Sequence, residues 1–168
     1  MKLFNSLAAL AICALAAFAV TSCENDTSDE ILPIAKSFTD ALQQEFPNAK
    51  NVTWELNRQY KVAKFDEDFK TYDVWLDPAA KLKMTEIDYG KSFNLVPDTA
   101  VEKAFASTMY SDWALNNITS YSRDNGTFYV IEVEKTGHQD MDVYISEYGN
   151  LIKVANHTRD IITPSTHI

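Results

Sequence analysis

Two stretches of the chain carry apolar residues at helical spacing, and each is followed by segments that alternate apolar and polar positions. Ile34, Phe38, Ala41 and Leu42 fall at i, i+4, i+7 and i+8, one face of a helix. Ile31-Leu32-Pro33 opens that helix, with Pro33 suited to the first turn and Ser28 or Asp29 available as caps; Phe46-Pro47-Asn48 ends it. Leu95-Val96-Pro97 opens a second helix, where Val101, Ala104, Phe105, Thr108 and Met109 repeat the stripe. The stripes align at an offset of 67: Ile34 with Val101, Phe38 with Phe105, Leu42 with Met109. Both read as core.

After the first helix the pattern predicts strands over Val52–Leu56, Tyr60–Phe65, Thr71–Leu76 and Leu82–Ile87. Asp66-Glu67-Asp68 and Asp77-Pro78-Ala79-Ala80 supply turns between them. After the second it predicts Ile118–Tyr121, Phe128–Glu134, Met141–Ser146 and Leu151–Asn156. Arg123-Asp124-Asn125-Gly126 makes a hairpin turn through Asn-Gly, and Glu147-Tyr148-Gly149-Asn150 makes another. Asp73-Val74-Trp75-Leu76 matches Asp142-Val143-Tyr144-Ile145 at an offset of 69. The match around Trp54 and Tyr121 is ambiguous by one residue, which flips faces. The expected fold is α+β: tandem units of one helix and about four antiparallel strands. Together they form one continuous sheet with both helices on one face. The expected segments are 1–22 as signal peptide, 23–30 as acidic tether, 31–92 and 93–156 as the two repeats, and 157–168 as a C-terminal tail.

Composition changes the picture in two ways. The 168 residues hold 15 Lys+Arg against 24 Asp+Glu, a formal net charge of -9, so no basic stripe exists to neutralise nucleic-acid phosphates. The beginning of the chain reads as an address. Lys2 precedes an uncharged apolar run from Leu7 to Val20, shorter than the roughly 20 residues a bilayer core needs. Val20-Thr21-Ser22-Cys23 resembles the bacterial lipobox, which implies cleavage before Cys23 and lipidation of its sulfur. An ordinary signal peptide cut nearby is the other reading. Of the 2 cysteines, Cys13 lies in the removed segment, so no disulfide is expected in the mature domain. The tether Cys23–Glu30 has four acidic residues and no basic one. It is either a solvated spacer or a sequence similar to the surface-export signals of Bacteroidota lipoproteins. The expected location is the outer membrane, facing the periplasm or the cell surface.

Phe46-Pro47-Asn48-Ala49, Val52-x-Trp54, Tyr60-x-Val62 and Tyr72-Asp73-Val74-Trp75-Leu76-Asp77 follow a characteristic order. With Asp142-Val143-Tyr144-Ile145 and Gly149-x-Leu151 repeating it, the chain resembles the PepSY-like, β-lactamase-inhibitor-protein-like (BLIP-like) domains of Bacteroidota lipoproteins over nearly all of residues 31–156. Two positions depart from the pattern. Ala80 stands where the family often has a turn glycine, and Tyr110-Ser111-Asp112 replaces Phe-Pro-Asn. The resemblance implies tandem α+β units without enzymatic activity and, by analogy of fold alone, inhibition or regulation of an envelope enzyme.

Sequence motifs for catalysis are missing. There is no Gly-x-Ser-x-Gly and no phosphate loop. His138, His157 and His167 lack metal-ligand spacing, and the last two sit near a terminus expected to fray. Asp66-Glu67-Asp68 lacks the glycine and distal Glu of a calcium loop. No cofactor or metal is expected. Asp98-Thr99-Ala100 resembles the Asp-Thr-small motif that Bacteroidota O-glycosylate, and a helix start explains it equally.

Alternation sets the candidate site. With Val74, Leu76, Val143 and Ile145 toward the helices, Asp73, Trp75, Asp77, Asp142 and Tyr144 point away. Duplicated aromatics beside duplicated carboxylates suit a binding face, with Trp75 and Tyr144 as anchors and Asp73 and Asp142 as polar partners. Ordinary cross-strand pairs covered by loops or by the C-terminal tail are the alternative. Lys61, Ala63, Phe65, Tyr129, Ile131 and Val133 are the expected neighbours on that face. The reading is a non-enzymatic, lipid-anchored envelope protein that holds a protein or peptide partner. A glycan or small-ligand carrier and a structural lipoprotein are its rivals.

Overall fold

The computed structural model describes residues 34–168. The signal segment 1–22, Cys23, the tether 23–30 and the helix opening at Ile31-Leu32-Pro33 lie outside the described residues.

Helix α1 (Lys36–Glu45) buries Phe38 and Leu42, as the stripe predicts. Four strands follow: β1 (Thr53–Asn57), β2 (Tyr60–Glu67), β3 (Lys70–Leu76) and β4 (Leu82–Asp88). Helix α2 (Thr99–Ala106) buries Val101 and Phe105 and precedes β5 (Ala114–Arg123), β6 (Gly126–Glu134), β7 (Met141–Ser146) and β8 (Leu151–Asn156). The strands form one sheet in the order β1 to β8, every neighbouring pair antiparallel. The α+β fold expected from the sequence is the fold observed.

Both helices lie on one face. Around α1, Leu42 packs with Ala63, Phe65, Tyr72 and Val74, and Phe46 meets Phe65 and Tyr72 edge-on. Around α2, Val101 and Phe105 pack with Ile118, Tyr129, Ile131, Val133, Val143 and Ile145. Ile87 touches both clusters and joins the two halves. Burial of these aliphatic and aromatic groups, at roughly 1.5–3 kcal/mol for each side chain fully buried, is what holds helices this short in place. Tyr129 Oη also donates to Asp98 Oδ2 at 2.6 Å, fastening the start of α2 to the sheet.

Three expectations need correction. Met109 is not core: α2 ends at Ala106, and Met109 falls in the turns beyond it, 81% exposed. Trp54 and Tyr121 are not equivalents. Trp54 packs on the α1 side, whereas Tyr121 lies on the opposite face. The expected neighbours of Trp75 are also on the wrong side. The β2–β3 turn sits on Asp68-Phe69, both in the left-handed region (φ 51° and 63°), rather than on Asp66–Asp68. That two-residue loop pairs Val62 with Trp75 and Lys64 with Asp73, so Ala63 and Phe65 face α1 and Lys61 lies over the Phe38 ring. In β6, Val130 and Glu132 stand opposite Tyr144 and Asp142, and Tyr129, Ile131 and Val133 face α2.

Candidate functional site

The face without helices has an aromatic end and an acidic end. At the aromatic end Tyr60, Val62, Trp75, Met84, Tyr121, Phe128 and Tyr144 form one cluster. They come from β2, β3, β4, β5, β6 and β7 and meet because alternate residues of antiparallel strands stand side by side. Tyr121 and Phe128 stack at 5.2 Å between ring centroids, and Tyr60 meets Trp75 edge-on at 6.0 Å. Cations cap two rings: Lys153 Nζ is 4.4 Å from the Tyr144 centroid and the Arg123 guanidinium 5.3 Å from that of Phe128.

Trp75 and Tyr144 do point away from the helices, but they are not exposed anchors. Trp75 is 1% exposed and Tyr144 8%. Large residues sit on both faces of this sheet, so the second face builds a core of its own. The tail covers it: Ile162 packs against the cluster and Thr163 is buried. The Trp75 Nε1 donor has no acceptor among the described residues.

The tail does not fray. His157 N donates to Asp140 O at 2.8 Å as the chain leaves β8. Thr163-Pro164-Ser165-Thr166 closes as a turn, with Thr166 N donating to Thr163 O at 2.9 Å. Arg123 holds that turn: Nη1 donates to Thr166 O at 2.7 Å and Nη2 to Thr163 O at 2.9 Å.

The acidic end has two groups: Glu55 and Asp73 around Lys64, and Glu86, Asp88, Glu132 and Asp142 around one cavity. Neither expected carboxylate is free. Lys64 Nζ bridges Asp73 at 2.9 Å and Glu55 at 3.3 Å. Asp142 is 6% exposed and its Oδ1 lies 3.0 Å from His157 Nδ1, while His157 Nε2 is 3.7 Å from Glu132 Oε1. The hydrogen bond to Asp142 raises the imidazole above its ordinary value. Burial pushes the Asp142 carboxyl up, and His157 opposes that shift. Glu86 accepts from Tyr121 Oη at 3.4 Å. Burial, then the nearby Asp73 carboxylate, push Glu86 up to about 7, against the pull of Lys64. Asp77 leaves the face altogether: its Oδ1 accepts from Ala79 N and Lys81 N and shapes the β3–β4 turn.

Between the acidic end and the tail lies a cavity of about 300 Å³, bounded by Glu86, Asp88, Glu132 and Asp142 below and by residues 157–162 above. Among the described residues no group of three or more His, Cys, Asp or Glu is placed to hold a metal ion. No helix among them is long and apolar enough to cross a membrane. The residues that sequence reasoning missed are Glu86, Arg123, His157 and Ile162. The one local signal is the adjacent apolar pair Ile161-Ile162 in the tail.

Comparison with known proteins follows this architecture. The model of the beta-lactamase-inhibitor-like, PepSY-like family matches residues 58–153. A BLIP-like protein from Bacteroides fragilis is 31% identical, with a TM-score of 0.69 over 82% of this chain and 94% of its own. A DUF2874 family protein from Bacteroides ovatus is 26% identical, with a TM-score of 0.67 over 77% of this chain and 93% of its own. A structure from Bacteroides eggerthii, described as a candidate periplasmic protein, is 26% identical with a TM-score of 0.64 over 73% and 88%. Among curated proteins there is no match.

Proposed function

The chain belongs to the beta-lactamase-inhibitor-like, PepSY-like family, and from that premise we propose that it is a non-enzymatic cell-envelope protein that binds a protein partner on the helix-free face of its sheet. One observation carries the reading. Six strands contribute to an aromatic cluster on a face that, among the described residues, no helix covers and only the C-terminal tail crosses. Beneath the tail lie large, rigid side chains with a polar margin, the make-up of binding hot spots. The acidic end adds a sign: the partner brings positive charge to Asp88, Glu86 and Glu132. The partner is an envelope enzyme whose access is blocked when it docks. Trp75 and Tyr144 act from below as the floor of the site, and Asp73 and Asp142 hold its polar end in shape through Lys64 and His157.

An envelope location is supported by the candidate periplasmic relative and by the apolar run before Cys23. Lipidation at Cys23 and residence in the outer membrane extend that reading. Labelling with a radioactive fatty acid, lost in Cys23→Ser, tests the anchor.

Partner capture by cross-linking in intact cells tests the face, comparing wild type with Asp88→Lys/Glu132→Lys. Both side chains are half-buried and accept hydrogen bonds, Asp88 from Gly90 N and Asn117 Nδ2 and Glu132 from Asn116 Nδ2, so a matching thermal melt is the control that the fold survives. A partner lost in the variant supports the face, and identical captures sink it. Nothing favours a glycan carrier, because the tyrosine and phenylalanine rings already stack on one another and under cations.

A further inference from the structure

We infer that residues 157–168 are a built-in ligand of the helix-free face, a peptide held in cis that an extended partner peptide of the same chemistry displaces. The inference rests on the binding-face reading and adds what the face recognises and what keeps it closed.

The contacts are those of a peptide-binding site, not of a third layer of core. Arg123 donates to two main-chain carbonyls, Thr163 O and Thr166 O, groups that any extended or turning peptide presents. One aliphatic side chain, Ile162, enters the aromatic cluster. Residues 158–161 are exposed, so the rest of the segment has little apolar surface inside. A segment with one apolar anchor and a few hydrogen bonds is held weakly, and tethering does much of the work. A short link raises its effective concentration to about millimolar. Local opening is therefore far less costly than unfolding the sheet beneath it.

Charge defines the partner further. His157 is the one tail group bonded to the acidic end, through Asp142. The cavity beside it is lined by Glu86, Asp88 and Glu132. A displacing peptide with an aliphatic residue for the Ile162 position and a basic residue five positions before it satisfies both ends at once. That spacing is the one separating His157 from Ile162.

The test uses the full chain and a labelled synthetic peptide with the sequence His157–Ile168. In wild type the attached tail competes, and the apparent affinity falls by the fraction of chains that are open. Ile162→Asp weakens only the attached copy, so the peptide is expected to bind that chain about tenfold tighter than wild type. Adding Arg123→Gln to the variant is expected to abolish binding. Equal binding to wild type and Ile162→Asp, or none to either, overturns the proposal. Hydrogen exchange on wild type gives a measurement that needs no variant. The Thr163 and Thr166 amides are expected to exchange at least a hundredfold faster than β7 amides. Exchange at the β7 rate makes the tail part of the core and overturns the proposal as well. Neither failure touches the binding-face reading, which stands or falls on capture by the Asp88→Lys/Glu132→Lys variant.

Discussion

Ala80 and Gly149 occupy the same place in two copies of one hairpin, and both take a left-handed backbone, φ 60° and 80°. The correspondence extends around them. Ala80 N donates to Asp77 O at 2.8 Å, and Gly149 N to Ser146 O at 2.9 Å. Lys81 N donates to Asp77 Oδ1, and Asn150 N to Ser146 Oγ. The register shifts after Trp75 in one copy and after Tyr144 in the other, again 69 residues apart. The two halves are therefore one structural unit repeated down to its bulge.

That pair predicts opposite responses to substitution. A left-handed alanine is strained by about 1–2 kcal/mol relative to glycine, offset in part by the greater freedom of glycine when unfolded. Ala80→Gly is expected to stabilise by about 0.5–1 kcal/mol. Gly149→Ala is expected to destabilise by at least about 2 kcal/mol, since its new Cβ sits 2.9 Å from Ala100 O at the start of α2. Urea unfolding of both variants checks the contrast.

Glu86 makes stability depend on pH. Its carboxyl titrates near 7 when folded, against an ordinary value of 4.5. Between those values the folded chain holds a proton that the unfolded chain has lost, so stability falls as pH rises through this window. Glu86→Gln is expected to stabilise by on the order of 2–3 kcal/mol at pH 8 and to change little at pH 4. Thermal melts at the two pH values decide it. An equal gain at both would place the effect elsewhere.

The tail responds to pH through His157, which faces Asp142, Glu132 and Asp140. Its folded value lies above 6.5, so its contribution is present in full below about 6.5 and fades as pH rises through the raised value. Exchange protection of the tail, corrected for intrinsic rate, is expected to be higher at pH 6 than at pH 8.5. His157→Gln removes that difference.

Trp75 is a core residue on the face of the sheet away from the helices. Trp75→Ala is expected to cost about 3–5 kcal/mol, the range for large aromatic truncations in a packed core. Trp75→Phe costs less, because it also removes the Nε1 donor that has no acceptor among the described residues. Chemical denaturation of the two variants gives the comparison. A Trp75→Ala chain as stable as wild type contradicts the packing described.

Much of this architecture is legible in residue order, and the places where it is not have local causes. Eight strands follow from apolar segments and turn signals, although β5, expected over Ile118–Tyr121, runs over Ala114–Arg123, and the helices follow from Phe38, Leu42, Val101 and Phe105. The β2–β3 register is not legible because Phe69 takes a left-handed conformation, which a bulky side chain does not announce. Met109 has the right spacing for the α2 stripe, but spacing carries no information about where the last helical hydrogen bond forms.

The site divides along the same line. Period-two alternation depends only on neighbours in sequence, and it put Trp75, Tyr144, Asp73 and Asp142 on the face away from the helices without any tertiary information. Whether that face meets solvent is a long-range matter. Arg123 reaches the Thr163 and Thr166 carbonyls across 40 and 43 positions of sequence, and Asp142 meets His157 around the β8 edge. Such pairings depend on how strands far apart in the chain curve and stack. Local patterns could therefore assign each residue its side of the sheet, and only the folded chain could lay a tail across it.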